Sequence, residues 1–486
     1  MSLYPGFIGP AYVSRSPNVA RETLRNWMPQ TTGVGAEPAH LSYMNRPGLS
    51  LYCVLDDAPV RGLFSQDGAT YAVGGGHIYQ ITSGNVTVTN LGPLTAKDSH
   101  PVVMQSNGVA GNQLFVPSGG SANVVNLTTG TISPVTGAGF PGSAPMAAYS
   151  DGYFIVSKNG TQQFNISASL NGLSWSALDF DLVTQASNNL VGMIQTGKIV
   201  WAVGSRSAVP FYDAGVSPFP FAAVPQVLVE TGTIAPFSLC KTDTLAGWLH
   251  QSERGAGQFI VIGGGEYSAR RASTYAVESR WAKYPTIADC VAFTMTWHGH
   301  EWAVLHFVSG NESWAYDFTE SAQQQVPIWS QWSWWNTTTG NHDRFRGWVH
   351  CESPDGHLVG DWETGAIYMM DDTLATDNGN PIVWERCGPH LNNQRLMAFY
   401  SEFMVDQETG LGGSTPTATL DWSDDGGHTF GVSMPMSTGA IGQYQTRCRV
   451  AGSLGQSRDR MYRYRVSNSV PPRPFAAYLN VAQGTN

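Results

Sequence analysis

The sequence predicts an all-β protein, a β-propeller of about seven blades followed by a C-terminal β-sandwich-like domain. The composition is the first observation behind this prediction, because 54 Gly and 28 Pro accompany only 13% charged and 11% aromatic residues in a chain of 486. Such a composition favours many short strands and turns over helices. The second observation is a repeat of alternating apolar runs and turns. The third is that this repeat ends at about residue 388 and is followed by longer predicted strands.

Residues 1–54 precede the repeat and show no regular periodicity. We expect them to form an N-terminal arm that is extended and irregular. The stretch from 20 to 27, which precedes Met28 and Pro29, has room for one turn of helix at most.

The predicted propeller covers residues 55–388. Its first unit, residues 62–81, alternates apolar and polar side chains between Gly and Asp turns, and a short run at 86–88 follows. Comparable units recur at intervals of roughly 40 to 55 residues, the size of one blade. They begin near Pro101, Ala144, Leu190, Pro236, Asp289 and Arg344. Seven units fit in this range, and six blades is the nearest alternative, because propeller closure often borrows a strand from the other end of the chain.

Residues 389–486 form the predicted C-terminal β domain, in which the strands are longer than in the repeat. We expect strands at about 398–405, 417–422, 444–450 and 461–466. Their length and alternation favour a small sandwich.

One β-hairpin in this domain has a recognisable turn chemistry. Ser423, Asp425, Gly427, Thr429 and Phe430 have the spacing of the Asp-box hairpin found in sialidases and many other β-proteins. In that hairpin the short polar side chains bond the turn backbone, the glycine accepts an unusual backbone conformation and the aromatic ring packs between strands. We expect the second strand to begin at Thr429. The predicted role is structural, because a turn whose polar atoms bond its own backbone has few left for a ligand.

Charge and cysteine content exclude several classes of protein. A formal net charge of −10 argues against a protein that wraps nucleic acid, since such binding needs a basic surface. It is compatible with a channel through which DNA slides. The six cysteines are scattered without a Cys-x-x-Cys pair, so we expect reduced core residues and no zinc site. Neither a signal sequence nor a membrane-spanning apolar run occurs, which predicts folding in the cytosol without a membrane anchor.

Other motifs favour structural roles over catalytic ones. The glycine triplets at 74–76 and 263–265 lie between alternating runs and predict hairpin turns, not phosphate loops. His298 and His300 flank Gly299, which marks a turn, and a closed metal site needs more ligands than these. The tryptophans between 329 and 335 fall on both faces of a strand, which favours core packing over sugar stacking. We therefore predict no catalytic residues, no cofactor and no metal site.

Basic residues concentrate late in the chain. Of the 26 cationic residues 21 are Arg, and six of these lie close together at Arg447, Arg449, Arg458, Arg460, Arg463 and Arg465. Alternate residues of a strand share a face, and Arg favours bidentate pairing at interfaces. We interpret the six as candidate assembly contacts, and a solvated strand face is an equally good interpretation.

The C-terminal domain resembles a known family. The segment WSDDGGHTF at 422–430, followed by GQYQTR at 442–447 and LGQSRDRMYRYRVS at 454–467, is similar to the C-terminal part of the packaged-DNA stabilisation proteins of short-tailed bacteriophages. The similarity continues upstream, in the order and spacing of that family, at 153–160, 188–212, 395–410 and in the arm at 21–29.

The resemblance implies a structural virion protein, a tail hub or nozzle, and no enzyme. It implies six copies in a ring below the portal and its head-to-tail adaptor, which continues the DNA channel and retains the packaged genome. It also implies that the ring holds a tail needle, fibres or tailspikes, that DNA passes through the lumen without sequence-specific binding, and that the protein assembles in the host cytoplasm and ends in the virion tail. It carries over no catalytic residues.

An alternative of another class is a propeller glycosidase or carbohydrate-binding protein, motivated by the Asp-box and the tryptophans. Such an enzyme needs two carboxyl groups, and usually several arginines, converging at the propeller centre. Most arginines of this chain lie outside the predicted blades, which disfavours that alternative.

Overall fold

The computed structural model describes residues 1–14, 16, 18–31, 41–142, 144–217, 219–251, 257–263, 266–392, 394–412 and 417–484. Over these residues the chain is predominantly β-structure, with a seven-bladed propeller and a β-sandwich. Helices in the described part are short: α1 (Gly108–Gly111), a 3-10 turn (Pro236–Ser238), α2 (Tyr275–Trp281) and α3 (Phe318–Gln324). No helix among these residues is long or apolar enough to span a membrane.

The N-terminal segment forms strands instead of the irregular arm predicted for residues 1–54. They are β1 (Ser2–Leu3), β2 (Thr23–Arg25), β3 (Trp27–Thr31), β4 (Leu41–Asn45) and β5 (Gly48–Val54). β3 and β4 pair with each other, whereas the other three join sheets formed by later parts of the chain. Their partners lie hundreds of residues away in sequence, which is why no local repeat reveals these strands.

The first four blades are four-stranded antiparallel sheets whose strands follow one another in sequence. Blade 1 contains β6 (Val60–Gln66), β7 (Ala69–Gly74), β8 (His77–Thr82) and β9 (Thr87–Pro93), and blade 2 contains β10 (Gln105–Ser106), β11 (Gln113–Ser118), β12 (Ser121–Asn126) and β13 (Ile132–Pro134). Blade 3 contains β14 (Ala147–Ser150), β15 (Tyr153–Ser157), β16 (Gln163–Ile166) and β17 (Phe180–Leu182). Blade 4 contains β18 (Leu190–Thr196), β19 (Ile199–Gly204), β20 (Ala208–Asp213) and β21 (Phe221–Ala223).

Blades 5 to 7 continue the pattern. Blade 5 contains β22 (Cys240–Lys241), β23 (Leu245–Gln251), β24 (Gly257–Gly263) and β25 (Glu266–Arg271). Blade 6 contains β26 (Cys290–Trp297), β27 (His300–Phe307), β28 (Glu312–Asp317) and β29 (Ile328–Asn336), with β30 (Asn341–Arg344) beside β29. Blade 7 contains β31 (Gly347–Ser353), β32 (Gly356–Asp361) and β33 (Ala366–Asp371).

β5 closes the propeller by supplying the fourth strand of blade 7. It pairs antiparallel with β33, so that Gly48 lies opposite Asp371 and Cys53 opposite Ile367. The N-terminal segment thus ties the last blade to the first, because β6 of blade 1 follows β5 directly. The predicted count of seven blades is confirmed within the described residues, and closure by a strand from the other chain end explains why six was the nearest alternative.

Turn residues explain the regular hairpins between the first two strands of several blades. Asp67 and Gly68 have φ values of 53° and 80°, Asp151 and Gly152 of 48° and 94°, and His298 and Gly299 of 49° and 80°. Two successive positive φ values are typical of the tight turns whose twist matches a β-hairpin, and Gly at the second position meets this demand without strain. Of the two glycine triplets, 74–76 lies at the β7–β8 turn, and 264–265 of the other triplet lie outside the described residues.

The remaining strands form the C-terminal part of the molecule. They are β34 (Thr376–Asp377), β35 (Asn380–Pro381), β36 (Trp384–Cys387), β37 (Ala398–Gln407), β38 (Thr417–Ser423), β39 (Met434–Ser437), β40 (Cys448–Ala451), β41 (Gln456–Ser457), β42 (Met461–Val466) and β43 (Pro474–Gln483). One sheet of the sandwich has the order β1-β43-β37-β40, with β41 also on β37, and the other contains β36, β42, β38 and β39. β36 thus belongs to the sandwich, although the predicted boundary at 388 placed it in the propeller.

β2 joins the propeller to the sandwich in a continuous sheet. On one side it lies parallel to β29 of blade 6, with Arg25 opposite Gln331, and on the other it pairs antiparallel with β36. The sheet therefore runs from β26 through β29, β2, β36, β42 and β38 to β39. Because each edge of β2 is occupied by a different domain, the backbone hydrogen bonds of one short strand connect the two domains.

The N-terminal segment also fills the sandwich core. Tyr4, Phe7 and Trp27 are buried against side chains of β37 and β42. The Trp27 ring stacks between Tyr43 and Tyr464, with ring centroids 5.6 and 6.1 Å away, and its Nε1 donates to the Pro472 carbonyl at 2.9 Å. Large aromatic side chains contribute strongly to burial, so the sandwich core depends on residues from both ends of the chain.

Two buried arginines fix this segment in place. Arg46 is fully buried, and its Nη1 and Nη2 donate to the two carboxylate oxygens of Asp377 at 2.9 and 2.6 Å. Arg386, also fully buried, donates to Glu22 at 2.9 Å and to the carbonyls of Gly6 and Phe7 at 2.7 and 2.6 Å. A buried guanidinium is tolerated only when its donors are satisfied, so these contacts specify how the segment lies.

We predict that Arg46→Met lowers the free energy of unfolding by about 3–5 kcal/mol, because Asp377 is left buried without its counter-charge. Urea denaturation followed by tryptophan fluorescence measures the change. The matched control is Arg473→Met, which removes an arginine that is about half exposed and 3.5 Å from Glu408. The control is expected to cost less than about 1 kcal/mol. Equal losses in the two variants would contradict the role assigned to Arg46.

Candidate functional site

The Asp-box residues form a self-contained turn. The Ser423 hydroxyl donates to Asp425 Oδ1 at 2.6 Å and accepts from the Gly427 amide at 2.8 Å. The Thr429 amide and hydroxyl donate to the Asp425 carboxylate at 2.9 and 2.6 Å. The hydrogen bonds from Ser423 and Thr429 hold the pKa of Asp425 well below its usual range. A carboxylate held ionised in this way supports a turn and is poorly suited to act as a general acid.

The strand after this turn begins later than predicted. β39 starts at Met434, not at Thr429, so the loop between β38 and β39 runs from 424 to 433. The bonds from Thr429 to Asp425 keep it within the turn and away from the ladder. Phe430 is half-buried and lies under the Arg463 guanidinium, whose Cζ is 3.9 Å from the ring centroid. This distance is within the range of a cation–π contact.

Two of the candidate assembly arginines form an internal ion-pair cluster. Arg463 and Arg465 share a face of β42, and both bond to Asp421 on the neighbouring strand β38. Arg463 donates from Nε and Nη2 to the two Asp421 oxygens at 2.8 and 2.9 Å, and Arg465 Nη2 donates to Asp421 Oδ2 at 2.8 Å. Asp421 is only 1% exposed. These arginines therefore neutralise a buried carboxylate, a role that the basic pattern alone did not indicate.

The same cluster extends across the domain junction. Arg25 of β2 donates to Glu385 at 2.7 Å and to the Gln331 side chain of blade 6 at 3.0 Å. Burial alone would raise the pKa of Glu385, but the charges of Arg25, Arg463 and Arg465 lower it below its usual value. Side chains of the propeller, the N-terminal strand and the sandwich thus share one electrostatic network.

The prediction that Arg460 is an assembly contact is wrong. It is 1% exposed, so another subunit cannot reach it in this conformation. Its guanidinium donates to both Asp424 oxygens at 2.7 and 2.8 Å and to the Leu454 carbonyl at 2.7 Å, and it lies 4.4 Å from the Tyr400 ring centroid. Arg460 is buried because its guanidinium donors are satisfied by Asp424 and Leu454, and these bonds fix the Asp-box loop to the sandwich interior.

The other three arginines are exposed. Arg449 pairs with Glu402 at 2.5 Å on the outer face of the sheet that contains β37 and β40. Arg447 precedes β40 and lies near Asp406, and Arg458 donates to the Arg395 carbonyl at 2.8 Å. These three residues remain at the surface, two of them beside an acidic neighbour, whereas Arg460, Arg463 and Arg465 are engaged internally.

Charge is distributed unevenly between the two domains. Residues 55–388 contain 27 acidic and 14 basic residues, whereas residues 389–486 contain 7 acidic and 8 basic ones. The negative charge therefore resides in the propeller. In residues 389–486 the acidic and basic side chains nearly balance.

The histidine and tryptophan motifs have structural contacts. His300 bonds Asp317 at 2.8 Å and His298 bonds Asp372 at 3.0 Å, on either side of the Gly299 turn. Trp329 and Trp332 are buried in two different apolar clusters. In the part of the chain that the structure describes, no group of three or more His, Cys, Asp or Glu side chains is arranged to hold a metal ion.

A cavity of about 380 Å³ lies on the propeller axis, where the first strands of the blades face one another. Its wall is mainly apolar and includes Phe64, Val103, Met104, Met146, Met193, Leu239 and Phe293. Lys241 is the sole lysine or arginine among the described lining residues, and none of those residues is Asp or Glu. His350 also lines the cavity, and burial lowers its pKa to about 3, so this ring is neutral.

Several functional contacts could not be found in the sequence. Arg46, Asp377, Arg386 and Glu22 hold the N-terminal segment, but each pair is separated by more than 300 positions. Isolated charged residues within apolar stretches are the only available signal, because such residues must be paired when buried. That signal identifies a candidate but not its partner.

Residues 8–375 match the family model described as Bacteriophage P22 Gp10, beta-propeller, and residues 383–481 match the model described as Bacteriophage P22 Gp10, beta-sandwich. No curated protein sequence matches the chain.

Three solved structures are similar in part. The WD40 domain of Neurospora crassa Pan2 has 9% identity and a TM-score of 0.43, with 68% of this chain and 95% of that chain covered. The N-terminal domain of Nup159 has 11% identity and a TM-score of 0.41, with 72% and 99% covered. The extracellular domain of a putative hybrid two component system from B. thetaiotaomicron has 9% identity and a TM-score of 0.44, with 76% and 45% covered.

Buried neutral histidines predict a loss of stability in acid. Burial lowers the pKa of His306 and of His350 to about 3 and the pKa of His342 to about 4. An unfolded histidine binds its proton near pH 6.5, so below that pH the unfolded state takes up protons that the fold does not. The free energy of unfolding then falls by about 1.4 kcal/mol per pH unit for each such group. His300, whose pKa is raised by its bond to Asp317, acts in the opposite direction.

We therefore expect a lower melting temperature at pH 5 than at pH 7, and a smaller decrease in His342→Gln than in the unmodified protein. Differential scanning calorimetry at both pH values measures this. His100→Gln, at a site 61% exposed, is the control and should leave the decrease unchanged. A His342→Gln variant with an undiminished decrease would show that His342 does not contribute.

Proposed function

The chain belongs to the bacteriophage P22 Gp10 family of phage structural proteins, and on that premise we propose that it forms a ring, the tail hub or nozzle, below the portal and adaptor of a short-tailed phage. The ring continues the DNA channel, retains the packaged DNA and anchors other tail parts. The observation that carries this proposal is the match of both domains, in order, over nearly the whole chain.

The connection between the domains supports a role in a loaded assembly. Blade 6, β2 and the sandwich share one sheet, and buried ion pairs fix the N-terminal segment to both domains. A ring that contains pressurised DNA needs subunits whose domains do not move apart. Continuous backbone hydrogen bonding supplies this, since separating the domains would expose unpaired amide and carbonyl groups.

The subunit contacts we propose are Arg447, Arg449 and Arg458 on the sandwich surface, facing the acidic propeller of the next copy. A ring of identical subunits is built from heterologous contacts, in which two different surfaces of the chain meet. The propeller is strongly acidic and the sandwich nearly neutral, so exposed arginines of the sandwich suit contact with a neighbouring propeller in a head-to-tail arrangement. We propose six copies per ring, with a needle, fibres or tailspikes as further partners and DNA passing through without sequence-specific binding.

The glycosidase alternative lacks a supporting site. The described residues around the axial cavity contribute no carboxyl group, and Asp425 of the Asp-box is bonded within its own turn. A glycosidase needs a pair of carboxyl groups on either side of the bond that it cleaves.

The proposal is tested by mixing the purified chain with portal and adaptor and measuring the mass of the complex. We expect addition of a ring of six copies. Failure to bind the portal–adaptor complex, combined with hydrolysis of glycans by the purified chain, would reject the structural function and favour the alternative.

We predict that the double variant Arg447→Glu, Arg449→Glu reduces ring yield by roughly tenfold while its melting temperature stays within about 2 °C, because exposed ion pairs contribute little to folding. Arg463→Glu, Arg465→Glu is the matched comparison. It should lower the melting temperature, since Asp421 would face two negative charges in place of two positive ones. Unchanged ring yield in the first variant would remove Arg447 and Arg449 from the interface.

A further inference from the structure

The propeller axis contains a site with an apolar interior and a polar mouth. The first strands of the blades run in the same direction around the axis, so residues near their ends meet at one mouth. Tyr149, Gln195 and Lys241 occupy the last or next-to-last positions of β14, β18 and β22, Gln105 begins the two-residue β10, and all four line the cavity. Residues earlier in these blades supply the apolar interior.

Contacts between blades show that the polar side chains converge. Lys241 Nζ donates to the Gln195 side-chain oxygen at 3.0 Å, which connects blades 5 and 4. The Thr294 hydroxyl of blade 6 donates to the Lys241 carbonyl at 2.5 Å. Blade 4 therefore holds the ammonium group of Lys241, and blade 6 holds its backbone.

The interior is suited to an alkyl chain. Met104, Met146 and Met193 border the cavity from three successive blades, and Phe293 and Leu239 border it from two others.

These side chains are 1% to 8% exposed and pack in the apolar clusters of the propeller, so only part of each one faces the cavity. Methionine is unbranched and polarisable, so a methionine-rich wall adapts to flexible apolar ligands. A volume of about 380 Å³ lies within the usual range of small-molecule sites.

The charge at the mouth indicates which head group fits. A single ammonium with amide and hydroxyl neighbours matches one negative charge, whereas a phosphate dianion favours several cations or an arginine fork. None of the described lining residues is acidic, and the Asp243 carboxylate that interacts with Lys241 lies outside the lining, so a cationic head group at the mouth would face the Lys241 ammonium. Burial lowers the pKa of Lys241, which is consistent with a cation that gains from an added anion.

We propose that the axial cavity binds a small amphiphilic monocarboxylate, with the carboxylate on Lys241 and the alkyl chain against the methionines. This binding site is independent of ring assembly, because all the residues that form it belong to one propeller.

The test is isothermal titration calorimetry of the full-length chain with octanoate, octanol and octylammonium below their micelle-forming concentrations. We expect octanoate to bind at one site, octanol about tenfold more weakly and octylammonium more weakly still, because only the carboxylate gains a charge-assisted hydrogen bond. Lys241→Gln should weaken octanoate binding by about tenfold and leave octanol binding unchanged.

Lys158→Gln is the matched control, since Lys158 is an exposed lysine in another part of the propeller. It should not change either affinity. The comparison of octanoate with octanol uses the unmodified protein, so it tests whether the site prefers a carboxylate even if Lys241→Gln fails to fold. The proposal is overturned if octanoate does not bind, if octanol binds equally well, or if a folded Lys241→Gln variant retains full affinity.

Discussion

The structure depends on one short strand whose two edges belong to different domains. β2 bonds to β29 of blade 6 on one side and to β36 of the sandwich on the other, and the Arg25 side chain repeats this link by contacting Gln331 and Glu385. Unpaired backbone groups are costly away from water, so neither domain can leave β2 without exposing them. The propeller and the sandwich are thereby fixed relative to each other by backbone hydrogen bonding, which a flexible linker could not achieve.

The same N-terminal segment carries out two further tasks. β5 completes blade 7, and Tyr4, Phe7 and Trp27 complete the sandwich core. Closure of the propeller and packing of the sandwich are therefore not independent. A subunit built in this way transmits force through hydrogen-bonded strands and buried ion pairs, which suits the proposed ring around a pressurised DNA channel.

Arginine has two roles in this chain, and burial separates them. Where a carboxylate is buried, as at Asp377 and Asp421, arginine satisfies it with a geometry that lysine cannot reproduce. Where the strand face is open, arginine supplies positive surface on an otherwise acidic protein. The axial cavity differs from both, because the one lysine or arginine among its described lining residues, Lys241, bonds the amide of Gln195.

The sequence alone determined the fold class, a propeller of six or seven blades and the Asp-box turn, because these depend on local alternation and on residues such as Gly68 and Gly427 that a turn requires. It also identified the family through the residues near 422–467. Only the tertiary structure decided which strand closes the propeller, where β36 belongs, and which arginines are exposed. Arg460 and Arg447 lie in the same Arg-rich part of the sequence, yet Arg460 is buried and bonded to Asp424, whereas Arg447 is exposed. The physical reason is that pairing across β-sheets joins residues hundreds of positions apart, and no local pattern specifies the partner of a strand or of a charge.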